Sequence, residues 1–142
     1  MGSGKIFECP ECGNRVELYE GIGMMWSHFD TSMFYPAKKG SCGLNFYGEI
    51  NKKIIKEAQK FIEESEIARV ADAYLQPYIC EKCGRFTTKL YFRIESEKGT
   101  YRPKYFCRCG CKYRRMTKKD EKHLSCSKCG CKFPEPMELN WD

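Results

Sequence analysis

Eleven of the chain's 142 residues are cysteines, and most of them stand at spacings that suit a metal ion. Cys9 and Cys12 lie in FECPECGN, Cys80 and Cys83 in YICEKCGR, and Cys126 and Cys129 in LSCSKCGCKF. Each stretch reads apolar-x-Cys-x-x-Cys-Gly or close to it. Two thiols at this spacing on a tight turn can aim two thiolates at one ion, and the glycine supplies the permissive backbone the turn needs. A fourth copy is shorter. In CRCGCKY, the run from Cys109 to Tyr113 aligns with the run from Cys129 to Phe133, and Cys107 then takes the place of Cys126 with one residue deleted. Its expected ligands are Cys107 and Cys109; Cys109 with Cys111 is the alternative pair.

Four such knuckles supply eight thiolates, hence two tetrahedral four-cysteine zinc sites. Sulfur-rich tetrahedral sites suit zinc, with iron as the main competitor. Cys42, Cys111 and Cys131 are left over. A chain that simply buries apolar thiols would have no reason to pair them. The knuckles can combine in three ways, with closing loops of 67 and 16, 23 and 113, or 94 and 42 residues. Loop-closure entropy separates the extremes by only about 1 kcal/mol, too little to choose.

Disulfides are the other use of so many cysteines, and the redox compartment decides between them. The start, MGSGKIFECP, lacks the apolar core of a signal peptide, and no run is long enough to span a bilayer. The expected compartment is therefore the reducing cytoplasm, with no membrane partner.

The elements that must position the knuckles are legible in part. Residues 1–20 read as a strand, a knuckle and a second strand. Residues 21–48 are irregular, punctuated by glycine and rich in Met and aromatic side chains. From Asn51 to about Leu75 the pattern is helical: Ile54, Ala58, Phe61, Ile62, Ser65, Ala68 and Leu75 share a face, Asn51 is a candidate N-cap and Pro77 ends the run. Residues 78–116 read as β structure. TTKLYFRIES alternates, EKG can turn, and TYRPKYFC returns. A knuckle followed by a hairpin is the layout of a zinc ribbon. The expected fold is α+β: zinc-ribbon hairpins and one amphipathic helix around a small, metal-stabilised core. The expected blocks are 1–48, 49–76 for the helix and 77–142 for the ribbon region, forming one interdependent domain. Such a small ribbon buries little by itself, so metal should supply much of its folding free energy.

Charge is local. Residues 101–122 hold nine Lys or Arg against Asp120 and Glu121, a net of +7 in a chain of net +6. Eight thiolates and two Zn²⁺ would lower the whole chain to about +2 and leave the strip at about +6. Tyr101, Tyr105, Phe106 and Tyr113 are interleaved with Arg102, Lys104, Arg108, Lys112, Arg114, Arg115, Lys118 and Lys119. Such a strip can grip phosphates and stack bases, which makes nucleic acid the candidate partner. The plainer reading is an alternating strand whose aromatics face a core and whose cations face water.

Catalysis has little to stand on. The only histidines are His28 and His123, and no Ser-His-Asp set, phosphate loop or H-E-x-x-H is present. A catalytic zinc keeps an open position, whereas cysteine-only knuckles suggest closed, structural metals, so no enzyme is expected. His28 is a candidate substitute ligand. Cys111 and Cys131 have basic neighbours, which lower a thiol pKa, so a redox or metal-responsive role is a third reading. The stretch YEGIGMMW could offer an adaptable apolar surface to a protein partner, making an adaptor built on 21–48 the second reading.

FECPECG near the start, GIGMM about ten residues on, a charged amphipathic helix, YICEKCG, and CSKCG near the C-terminus together resemble small uncharacterised bacterial zinc-ribbon-like proteins. The resemblance spans most of the chain and implies organisation, not an activity. CRCGC is an addition to that pattern. The resemblance therefore implies that Cys126 and Cys129 pair without it, which favours Cys80, Cys83, Cys126 and Cys129 as one site.

Overall fold

The computed structural model describes residues 2–21, 30–37, 46–48 and 50–141. The architecture is α+β, mostly antiparallel strands with one helix of several turns. Two compact units are present, each assembled from non-consecutive segments. The first comprises Met1–Gly21, Leu75–Lys89 and Lys104–Asp142; the second comprises Ile22–Tyr74 and Leu90–Pro103. No described helix is long and apolar enough to cross a membrane.

In the first unit, β1 (Gly2–Glu8) lies between two antiparallel neighbours. On one side β2 (Arg15–Gly21) runs from Glu8↔Arg15 to Gly2↔Gly21. On the other, the C-terminal strand Met137–Trp141 runs from Ile6↔Met137 to Gly2↔Trp141. Gly4 lies close to the neighbouring strand: a Cβ there would sit 3.1 Å from the Tyr19 ring, which would have to shift by a few tenths of an ångström. Next come β3 (Ala68–Ile79) and β4 (Phe86–Ser96), neighbouring strands that each contribute to both units. The two-residue strand Arg114–Arg115 pairs with β3 through Tyr78↔Arg115. One helical turn, Lys118–Glu121, follows, held by a reciprocal cap between Thr117 and Asp120. The core gathers Phe7, Leu18, Met116, Leu124 and Phe133 with the thiols of Cys9 and Cys126. Phe7, Phe86 and Phe133 meet edge-on, with centroids 5.7 to 5.8 Å apart.

In the second unit, α1 (Lys52–Glu63) starts where expected: the Asn51 side chain accepts from the Lys53 N–H. Ile54, Ile55 and Ala58 are its buried residues. Phe34, Phe46 and Phe92 form an aromatic cluster, and Phe61, Phe92 and Tyr101 extend it. The strand β5 (Gly99–Tyr101) returns along β4 through Ile94↔Tyr101, as the alternation and turn at 86–101 indicate.

The helix does not run to Leu75. The Glu97 carboxylate accepts from the N–H groups of Glu66 and Ile67, which a continuing helix would need for its own carbonyls. The chain extends from Ala68, and Pro77 lies inside β3 rather than ending a helix. There its carbonyl accepts from the Met116 N–H.

Candidate metal centres

All four knuckles share one backbone pattern. The N–H of the first cysteine donates to the carbonyl of the residue that closes the turn: Cys9 to Asn14, Cys80 to Arg85, Cys107 to Cys111 and Cys126 to Cys131, at 2.7 to 2.8 Å. The glycine N–H donates back to the first cysteine's carbonyl in each, at 2.8 to 2.9 Å. Those glycines have positive φ, +90° at Gly110 and +79° at Gly130, a conformation that disfavours a side chain. CRCGC is thus the same turn with one residue fewer. Cys111 and Cys131 occupy its closing position, and Cys131 packs partly buried against the Phe7–Phe133 core.

The eight knuckle cysteines form two groups of four. Cys9 and Cys12 meet Cys126 and Cys129; Cys80 and Cys83 meet Cys107 and Cys109. Within each group the sulfurs lie within 4.8 Å of one another. The closest approaches are 3.3 Å for Cys9–Cys129 and Cys83–Cys107, and 3.5 Å for Cys12–Cys126 and Cys80–Cys109. A tetrahedron of thiolates with bonds of about 2.3 Å has edges of about 3.8 Å, so small adjustments suffice to hold one ion per group. The pair Cys109 and Cys111 is not the one used, and Cys111 lies outside both groups.

The grouping also differs from the site Cys80, Cys83, Cys126 and Cys129 that the resemblance implied. The reason is the pairing of β1 with the C-terminal strand Met137–Trp141. It brings the first knuckle to the last and leaves the two central ones to each other.

Electrostatics within each group favours a cation. Cys9 and Cys80 are held below the usual thiol range, chiefly by the N–H groups of Cys12 and Cys83. The Cys109 N–H does the same for Cys107, which falls to about 6. Burial pushes Cys126 up, but the Cys129 N–H and the Asn14 side-chain amide, 3.4 Å from its sulfur, bring it to about 6. The other four are raised. At Cys109 the Cys111 N–H lowers the pKa, but the Cys80 sulfur and burial outweigh it and carry it to about 12. Cys12, Cys83 and Cys129 follow the same balance between an N–H from the turn's closing residue and neighbouring sulfurs. Each group thus holds two thiols with lowered pKa and two with raised pKa, all of which a divalent ion would bind as thiolates.

The basic strip is divided. Arg102 belongs to the second unit, where it donates to the Tyr91 hydroxyl. Arg114 is held by Asp120 through two bonds of 2.7 Å and by Glu81, and Arg115 donates to Gln76. The Arg114 guanidinium in turn keeps the Asp120 carboxyl well below the usual range. Tyr105 is buried against Tyr78, Tyr101 packs among the second unit's rings, and Tyr113 is half-buried. Phe106, by contrast, is 58% exposed. Lys104, Arg108, Lys112, Lys118 and Lys119 are exposed too. His123 lines a cleft of about 380 Å³ between the knuckles of Cys83 and Cys126 and belongs to neither group. His28, Cys42 and residues 22–26 of the GIGMMW stretch lie outside the described residues.

Fold and site together define an α+β protein with two four-cysteine clusters able to hold metal ions. No protein-family model matches the chain, and no curated protein or solved structure matches it.

Proposed function

We propose that the chain is a non-enzymatic zinc module of zinc-ribbon type, with two structural sites, that contacts nucleic acid through its basic segment. The observation that carries the structural reading is the closure of both clusters. Each brings four cysteine sulfurs together, a complete tetrahedral set that leaves no position for a substrate or an activated water. The residues that would hold zinc are Cys9, Cys12, Cys126 and Cys129 in one site and Cys80, Cys83, Cys107 and Cys109 in the other. Zinc bound there would supply folding free energy and fix the geometry of each turn.

The nucleic-acid contact rests on the cations that remain exposed, namely Lys104, Arg108 and Lys112 around one knuckle and Lys118 and Lys119 on the helical turn. Arg114 serves the fold instead. The test is a salt titration of the zinc-loaded protein with a labelled oligonucleotide. Affinity should fall steeply with salt, with a logarithmic slope of about 0.7 per phosphate neutralised on a single strand. Reversing Lys104, Arg108 and Lys112 to glutamate should reduce affinity by more than about tenfold and flatten that slope. An affinity indifferent to salt and to the charge reversal would overturn the reading.

A further inference from the structure

We infer that the hairpin carrying Cys107 is a docking site for single-stranded nucleic acid, with Phe106 as the surface on which a base stacks and Lys104, Arg108 and Lys112 as its phosphate contacts. The inference rests on the nucleic-acid reading above and narrows it to one hairpin and one form of the ligand.

The structure supplies its own control, because the hairpin has a twin. Around the third knuckle, Cys107 bonds Cys111, the Tyr113 N–H donates to the Tyr105 carbonyl, and Phe106 bridges Lys112. Around the fourth, Cys126 bonds Cys131, the Phe133 N–H donates to the Leu124 carbonyl, and Ser125 bridges Lys132. The inward positions match in character: Tyr105 and Leu124 are buried, as are Cys107 and Cys126. The outward positions do not. Where the fourth knuckle has Ser125, the third has Phe106, and that ring is more than half exposed. The turn therefore does not need an aromatic residue there, and Phe106 buries little for the fold.

Its surroundings differ in the same direction. In an extended hairpin, residues two apart share a face with the residue opposite. Phe106 stands opposite Lys112, burial alternates along 103–107 so that Lys104 is exposed as Phe106 is, and Arg108 opens the adjoining turn; the twin has Lys132, His123 and Ser127 at these places. Among the described residues, none of these three cations is engaged in an ion pair, whereas Arg114, one step further along, has two acidic partners. An exposed ring among unpaired cations offers stacking and phosphate neutralisation together, the combination that single strands use and that a duplex, with its bases already stacked, cannot exploit. An acidic peptide would use the cations and leave the ring idle.

The experiment is fluorescence anisotropy of the zinc-loaded full chain with a labelled oligothymidylate and with a duplex of equal length. Phe106→Ser installs the twin's residue, and an unchanged zinc content shows that the turn still forms. The expected results are single-strand affinity about tenfold weaker in Phe106→Ser at an unchanged salt slope, full affinity in Phe106→Trp, and duplex binding weaker and indifferent to both. Salt-dependent binding that ignores Phe106→Ser would overturn the stacking site while leaving the basic segment as the contact. Equal competition by polyglutamate, with no effect of Phe106→Ser, would replace the partner with an acidic protein. Absence of binding to either oligonucleotide would overturn this inference and the nucleic-acid reading together.

Discussion

Replacing Cys126 with serine is expected to remove one of two bound metals and to abolish the cooperative fold of the first unit. Cys126 is 2% exposed and belongs to the same core as Phe7, Leu124 and Phe133, so its cluster and that core stand or fall together. A serine hydroxyl is a poor substitute for a thiolate and would sit at a position where burial already disfavours charge. Structural zinc contributes roughly 10–16 kcal/mol in small modules, as much as or more than the whole net stability of about 5–15 kcal/mol of a typical domain. The checks are metal content and thermal unfolding by circular dichroism. Cys111→Ser and Cys131→Ser are the matched controls, since both lie outside the two groups. Two metals and an unchanged transition in Cys126→Ser would mean that Cys126 is not a metal ligand.

Phe92→Ala should cost about 3–5 kcal/mol, through a different part of the molecule. The Phe92 side chain is fully buried in the second unit. Its ring lies 4.9 Å from that of Phe34, 5.9 Å from Tyr101 and 6.4 Å, stacked, from Phe46. Truncation removes all three contacts, and rings of this size cannot collapse to fill the space. Urea unfolding with zinc present reads the change as a lower midpoint. A loss below about 1 kcal/mol would mean that these rings are not a packed core.

The knuckles were legible because their chemistry is local. A turn that presents two thiols needs cysteines at short spacing and a glycine, and all three signals sit within a few residues. The shortened copy was found because Cys109 to Tyr113 repeats Cys129 to Phe133. The pairing of knuckles was not legible from loop lengths, yet a signal for it exists. Cys9 and Cys80 open turns closed by Asn14 and Arg85, and Cys107 and Cys126 open turns closed by another cysteine. Each cluster takes one turn of each kind. That rule leaves a nested and a crossed arrangement, and chains favour connections that do not cross. The nested arrangement is the one observed. The strand that enforces it, MELNW, is short and half polar, so the sequence offered no reason to pair it with β1.

The helix shows why local pattern fails at an end. Residues 65–75 carry apolar side chains at spacings that fit both periods, and no glycine or proline marks a stop before Pro77. What ends the helix is Glu97, a residue 33 positions beyond the C-cap Glu64, which takes two backbone donors. The basic strip shows the same limit of local pattern. The nine cations within residues 101–122 look alike in sequence, but Arg114 is matched by Glu81, distant in sequence, while Lys104, Arg108 and Lys112 stay exposed. Exposure of Phe106 could have been read from its place opposite Lys112, since Ser125 holds the same place in the twin turn.

The central claim is that eight of the cysteines are ligands in two closed sites. The most direct test is the metal content of the folded chain, purified without chelator and measured by elemental analysis. Two zinc ions per chain are predicted. One zinc per chain, or iron in its place, would contradict the account.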